Sequence, residues 1–176
     1  MTRVEETHAQ CAPLKGIKVI EFTHMVMGPT AGVILGDLGA DVIKVEPLNG
    51  DNTRRLQGSG AGYFPMYNRN KRSMTLDLKS DKGKEVFGKL VSTADALLCN
   101  LRGDQPEKLG LTYGQLKGHN PKIVCGLISA YGRDGPRRDW PGFDYLMQAE
   151  TGYLFMSGEP GGPPARMGLS IIDHLA

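Results

Sequence analysis

The chain has 176 residues, a net charge of +2, 40% hydrophobic residues and 23% charged residues. This composition is typical of a soluble globular domain with a sizeable core, and so small a charge does not favour nucleic acid as a partner. No apolar run is long enough for a membrane span, and the first ten residues lack the apolar core of a signal peptide.

Strand and helix patterns alternate from the start of the ordered sequence. Residues 1–13 are polar and aperiodic, which predicts a disordered tail. A β-branched run at 16–22 predicts a strand, apolar periodicity over 29–38 predicts a helix, and 41–46 predicts a second strand. Strand, helix and strand with short connections form a βαβ unit, which begins a parallel sheet.

The same alternation continues along the rest of the chain. Later strands are predicted at 74–78, 94–99 and 122–128, and later helices from Ser80 as the cap, over 106–118 and from Asp144. The whole pattern predicts one α/β domain over 14–176. We expect a doubly wound, mostly parallel, Rossmann-like sheet with flanking helices.

The cysteines are at positions 11, 99 and 125, an odd number with no CxxC spacing. They predict reduced thiols in a cytoplasmic protein, rather than a disulfide framework or a zinc site. The four histidines are scattered and form no metal-ligand pattern.

Ligands of open α/β sheets bind beyond the carboxyl ends of the strands. The loop after the first strand is neither GxGxxG nor GxxxxGK[ST], which argues against a nicotinamide dinucleotide and against a P-loop. Arg69, Lys71 and Arg72, together with Lys79, have the charge density that phosphate binding needs. A solvated basic turn explains the same residues equally well.

Asp173 follows a mostly apolar run from Met167 to Ile172. Ionised carboxylates avoid apolar surroundings unless a partner or a function keeps them there, so this position favours a functional carboxylate. The simpler interpretation is an N-cap for a helix that begins at His174. Both interpretations stay open on the residues alone.

Short motifs occur in a fixed order from Leu14 to the end of the chain. They are 14–22, 28–29, 38–46, 70–73, 76–79, 94–95, 100, 109–111, 120–121, 135–136, 143–144 and 173. This series resembles the class III coenzyme A-transferases, which include formyl-CoA transferase, the carnitine CoA-transferases and the bile acid-inducible F type. Members of that family are longer, so the resemblance implies an incomplete N-terminal CoA-binding domain.

The resemblance implies an enzyme of acyl-CoA metabolism that moves coenzyme A from an acyl-CoA to a carboxylic acid. Asp173 would be the nucleophile, with an aspartyl mixed anhydride and an aspartyl-CoA thioester as intermediates, and Asp144 would lie nearby. The reaction needs no metal and no redox cofactor. The family further implies a homodimer whose two chains interlock, with no nucleic acid or membrane as a partner.

The resemblance also implies the residues that contact coenzyme A. They are Arg72, Leu76, Lys79, Asn100, Leu101 and Lys108. Arg72 and Lys79 would pair with phosphate, while Leu76 and Leu101 would form apolar walls. The two leucines fit an ordinary core equally well.

Two alternatives remain. The α-methylacyl-CoA racemases share this fold but carry a histidine directly before the aspartate, where this chain has Phe143 before Asp144. Exchange of an α-proton needs an acid-base group on each face of the carbon, so the transferase is favoured. The second alternative is an inactive CoA-binding fragment, because Asp173 lies three residues from the end of the chain.

Overall fold

The computed structural model describes residues 12–176, so the predicted tail lies almost wholly outside the described residues. Its centre is a sheet of five parallel strands: β1 (Lys18–Phe22), β2 (Asp41–Glu46), β3 (Lys71–Thr75), β4 (Ala96–Cys99) and β5 (Val124–Leu127). The strand order is β3-β2-β1-β4-β5. This order reverses direction between β1 and β4, as in a doubly wound sheet, and confirms the predicted fold class.

Seven α-helices connect or flank these strands in the described part of the chain. They are α1 (Met27–Asp37), α2 (Tyr63–Tyr67), α3 (Asp81–Val91), α4 (Gln105–Lys108), α5 (Tyr113–Leu116), α6 (Asp144–Glu150) and α7 (Ile171–Leu175). Across residues 12–176 no helix is long and apolar enough to cross a membrane. Ser80 caps α3 as predicted, because its hydroxyl accepts from the Gly83 N–H at 3.1 Å.

Side chains alternate across the sheet and build one core on each face. Ile20 on β1 belongs to the core that packs on Phe87 of α3. Val19, its neighbour in sequence, belongs to the opposite core, where Ala31 and Leu35 of α1 pack. Both faces of the sheet are therefore covered by helices, as a parallel sheet requires.

Two elements differ from their predicted bounds. The helix predicted over 106–118 forms as two single turns, α4 and α5, because Gly110 between them has a φ of +74°. β3 forms over Lys71–Thr75 instead of 74–78, since pairing with β2 fixes its register. The Leu76 N–H makes the last bond of this ladder, to the Glu46 carbonyl at 2.9 Å. Residues 76–79 are thereby released into the loop at the end of the strand.

Candidate active site

A cleft of about 700 Å³ opens at the carboxyl ends of β1, β2 and β3. Parallel strands end together at this edge, so the loops that follow them converge there. The predicted residues Leu76, Lys79 and Leu101 all line this cleft. The fold therefore brings together one cation and two apolar side chains from loops that are more than twenty residues apart.

The other predicted coenzyme A contacts lie elsewhere. Arg72 is on the outer edge of the sheet, where its Nε and Nη2 donate to the two carboxylate oxygens of Asp41 at 2.9 and 2.6 Å. Lys108 pairs with Asp104 at 2.7 Å. Neither cation lines the large cleft or the smaller cleft beside it.

The smaller cleft, of about 420 Å³, contains Asp173 and Asn100. It shares wall residues with the large cleft: His24, Met25, Leu101, Gln105 and Phe143. A long ligand lying in the large cleft can therefore reach towards Asp173 past a common wall.

Asn100 fixes the loop after β1, which supplies part of that common wall. Its Oδ1 accepts from the His24 N–H at 2.9 Å and its Nδ2 donates to the His24 carbonyl at 2.9 Å. A methyl group at Gly28 would lie 2.6 Å from Asn100 Cγ, so only glycine leaves room for the amide here. The main-chain bonds give Asn100 a positioning role independent of any ligand contact.

The His24 side chain was not among the predicted site residues, although it lies only two residues after the end of β1. Burial is the main cause that lowers the pKa of His24 below the usual 6.5. The nearby Asp51 raises this pKa, whereas Lys44 and Arg102 lower it. Burial therefore favours the neutral form of this imidazole in the wall between the two clefts.

Asp173 and Asp144 lie together although they are 29 residues apart. Asp144 is buried at the start of α6, and its Oδ1 accepts the N–H groups of Ile172 and Asp173 at 2.8 and 3.2 Å. These are first-turn N–H groups of α7, which need partners from outside the helix. Asp144 thus caps the helix that carries Asp173.

The cap interpretation of Asp173 does not match this arrangement. The helix begins at Ile171 rather than at His174, with Ser170 at the N-cap position and Asp173 inside the first turn. Among residues 12–176, no group donates a hydrogen bond to the Asp173 carboxylate, which lines the smaller cleft.

The pKa of Asp173 is raised to about 6, chiefly by burial and also by the neighbouring Asp144, while His174 acts in the opposite direction. A helix N-terminus favours the ionised form of a carboxylate, but α7 has only five residues and burial is the largest influence on this group. A carboxylate with this pKa is still mostly ionised at pH 7. It is also more basic than an ordinary aspartate.

The His174 side chain bonds to groups other than Asp173. Its Nε2 lies 2.9 Å from the Tyr67 hydroxyl and its Nδ1 donates to the Ser170 carbonyl at 2.6 Å. Because both ring nitrogens are occupied, His174 is not placed to exchange protons at the Asp173 carboxylate.

The basic group at 69–72 forms ion pairs instead of an open patch. Lys71 is the buried member: its Nζ lies 2.9 Å from Glu21 Oε2, and both side chains are almost fully excluded from solvent. Lys44 is buried beside them, 3.7 Å from Glu21 and 3.1 Å from Asp51. Lys44 also donates to the Thr23 carbonyl at 2.7 Å. This balanced network supports the loops under the large cleft.

With this geometry established, known proteins give a direct comparison. The model of CoA-transferase family III matches residues 14–176. The chain belongs to this family.

Individual relatives agree with the family assignment. Succinate–glutarate CoA-transferase of Agrobacterium fabrum is 40% identical over 172 residues, which cover 92% of this chain and 43% of the relative. Acetyl-CoA:oxalate CoA-transferase of Acetobacter aceti is 38% identical over 167 residues, which cover 93% of this chain and 43% of the relative. This chain thus spans less than half the length of these curated relatives.

A solved structure agrees as well. The crystal structure of a CAIB/BAIF family protein from Brucella suis superimposes with a TM-score of 0.85 at 38% identity. The match covers 93% of this chain and 46% of the Brucella chain. The five-stranded parallel sheet is therefore the sheet of a known family III fold.

Proposed function

We propose that this chain supplies the coenzyme A cleft and the nucleophile of a CoA-transferase. The enzyme moves coenzyme A from an acyl-CoA to a carboxylic acid, and Asp173 is the residue that carries the acyl and CoA groups in turn. The observation that supports this best is the free, half-buried Asp173 carboxylate in a cleft that shares a wall with the large cleft.

The chemistry suits a carboxylate with a raised pKa. Asp173 attacks the thioester carbon of the acyl-CoA, the carbon–sulfur bond breaks, and CoA thiolate leaves a mixed anhydride on Asp173. The thiolate then attacks the aspartyl carbonyl, which releases the donor acid and forms an aspartyl-CoA thioester. The acceptor carboxylate repeats the two steps in reverse, so Asp173 is regenerated as the free carboxylate.

Asp144 acts in this scheme as an orienting carboxylate. It holds the main chain of Ile172 and Asp173, and its charge helps to raise the pKa of Asp173. A racemase would need a second acid-base group facing the substrate. Asp144 is buried and bonded to the main chain, so it is not placed to be that group.

We propose that the large cleft takes coenzyme A, with Lys79 on a phosphate and Leu76 and Leu101 against apolar parts of the molecule. Asn100 lines the same cleft as Asp173 and would contact the pantetheine end. Arg72 and Lys108 stay in the proposal as outer phosphate contacts. Each would first have to leave its own carboxylate partner, so we expect a smaller contribution from them.

The test of the cleft is coenzyme A binding by calorimetry. Lys79→Ala should weaken binding about tenfold or more, because charge-assisted hydrogen bonds to phosphate are among the stronger polar contacts. Arg72→Ala is the matched control, since it removes an equal charge outside the cleft and should cost less. Equal losses from both variants, or no loss from Lys79→Ala, would remove the basis for the placement.

The test of the nucleophile is the covalent adduct on Asp173. Incubation with an acyl-CoA should leave an acyl or CoA adduct on the peptide that contains Asp173, detectable by mass spectrometry. Asp173→Asn should bind coenzyme A as well as the unchanged chain and give no adduct. A variant that still formed the adduct, or still transferred CoA, would disprove the assignment.

We also propose that the protein acts in the cytoplasm as a homodimer with interlocked chains. Cys99 and Cys125 are both free thiols in the structure, which suits a reducing compartment. Phe155, Met156 and Leu169 are large exposed apolar side chains, and exposed apolar surface promotes association. Light scattering that shows only a monomer would contradict the dimer.

A further inference from the structure

Gln148 lies one helical turn after Asp144 on α6, and residues at i and i+4 share a helix face. Its side chain is completely buried. A buried amide destabilises a protein unless its donors and its acceptor are all bonded. The sequence analysis did not select this residue, and a glutamine within an amphipathic helix gives no functional signal by itself.

Every polar atom of the Gln148 amide has a partner. Nε2 donates to Asp144 Oδ2 at 2.5 Å and to the Leu169 carbonyl at 3.3 Å. Oε1 accepts from the Met167 N–H at 3.0 Å. One amide therefore connects the carboxylate that caps α7 to the chain segment that leads into α7.

Only one orientation of the amide satisfies these contacts. If oxygen and nitrogen were exchanged, an amide oxygen would face the Asp144 carboxylate and an N–H would face the Met167 N–H. The position therefore requires a side chain of this length with a donor on one side and an acceptor on the other.

We propose that Gln148 is a positioning residue for Asp173, acting through Asp144 and through the main chain at 167–169. The carboxylate of Asp144 can cap Ile172 and Asp173 only while its other oxygen is held, and Gln148 holds it. The proposal rests on the proposed role of Asp173 as the nucleophile, but its geometry can be tested without any reaction.

The titratable and charged groups around Asp173 determine how its pKa should change when Gln148 is replaced. Asp144 faces it from α6, Tyr67 from α2 and His174 from α7. His24, Arg102 and Arg138 line the same cleft. If the hold on Asp144 is lost, Asp173 gains solvent and moves away from a like charge, so its pKa should fall towards the ordinary value of 3.8.

The first experiment uses Gln148→Leu in the full chain, followed by NMR. Exchange of the Asp173 amide hydrogen should become about tenfold faster, because its carboxylate acceptor is no longer held in place. The Asp173 carboxyl should titrate at lower pH than in the unchanged chain. The matched control is Gln115→Leu on α5, since Gln115 also bonds the main chain on both sides, accepting from Thr112 N–H and donating to Glu107 O. It should leave both readouts at Asp173 unchanged.

The second experiment uses Gln148→Glu and keeps the test informative if the leucine variant does not fold. At neutral pH the introduced carboxylate repels Asp144 and should loosen α7. Below about pH 5 the introduced group becomes protonated and can donate to Asp144 again, so the exchange rate should return to the rate of the unchanged chain at the same pH. Restoration by acid is a result that a general loss of packing does not give.

Three outcomes would overturn the proposal: unchanged exchange and titration in Gln148→Leu, the same changes in Gln115→Leu, or no acid restoration in Gln148→Glu. The adduct experiment fails or succeeds independently of these. If the NMR results hold and no adduct forms on Asp173, then Gln148 positions α7 but the proposed nucleophile is wrong.

Discussion

Asp173→Asn should make the protein more stable at neutral pH while it removes the proposed activity. In the folded chain the pKa of Asp173 is raised from 3.8 to about 6, chiefly by burial. The folded state therefore binds more protons than the unfolded state between about pH 4 and pH 6, and stability falls as the pH rises through that range. Asparagine has nearly the same shape and does not ionise.

The magnitude follows from the size of the shift. About two pKa units correspond to about 3 kcal/mol at most, at 1.36 kcal/mol per unit. The carboxylate is only partly buried, so solvent screening reduces this, and we expect a gain of about 1–2 kcal/mol in the free energy of unfolding at pH 7. The gain should disappear below about pH 3, where the aspartate is protonated in both states.

The assay is urea unfolding of both proteins at the two pH values, with the midpoint and slope compared. Asp81→Asn is the matched control, because Asp81 also lies in the first turn of a helix but is fully exposed. Its change should stay within about 0.5 kcal/mol. If Asp173→Asn were neutral or destabilising at pH 7, then the ionised, partly buried carboxylate would not destabilise the folded state as argued.

Two further predictions concern the buried ion pairs. Lys71→Met should cost about 3–5 kcal/mol in urea unfolding, because it leaves the Glu21 carboxylate buried without its closest cation. Arg72→Met, which breaks a solvent-exposed pair next to it, should cost less than about 1 kcal/mol, and equal costs would contradict the burial argument. Gly32→Ala should also destabilise the fold, measured by thermal unfolding, since an added methyl would lie 1.9 Å from Glu21 Oε2. A stable Gly32→Ala variant would mean that Glu21 can move aside.

Local pattern determined most of the fold. The alternating strand and helix periods, the Ser80 cap and the short βα connections each depend on residues close together in sequence, and they led to the parallel sheet that the structure shows. The ordered motifs from Leu14 onwards also identified the family, because the loops at the strand ends keep their places in the sequence. For this reason Leu76, Lys79 and Leu101 were predicted as site residues, and all three line the large cleft.

The tertiary structure decided which members of a local pattern are exposed and which are buried. The basic run at 69–72 is one patch in sequence, but pairing with β2 sends Lys71 inward to Glu21 and leaves Arg72 on the outer edge. Alternation along a strand makes such a division predictable only when the register is known. The strand register is not visible in the local sequence, because the register depends on contacts with residues 30 to 50 positions away.

The environment of Asp173 also depends on contacts between residues that are distant in sequence. Its position after an apolar run was visible in the sequence, but a solvated cap and a reactive carboxylate looked alike at that level. Only the packing of α6 against α7 showed that Asp144 takes the capping role and that Gln148 holds it. The sequence by itself determined that a carboxylate follows this apolar run. The pKa of that carboxylate depends on its burial and on the charge of Asp144, which is 29 residues away in sequence. Only the folded chain brings these groups together.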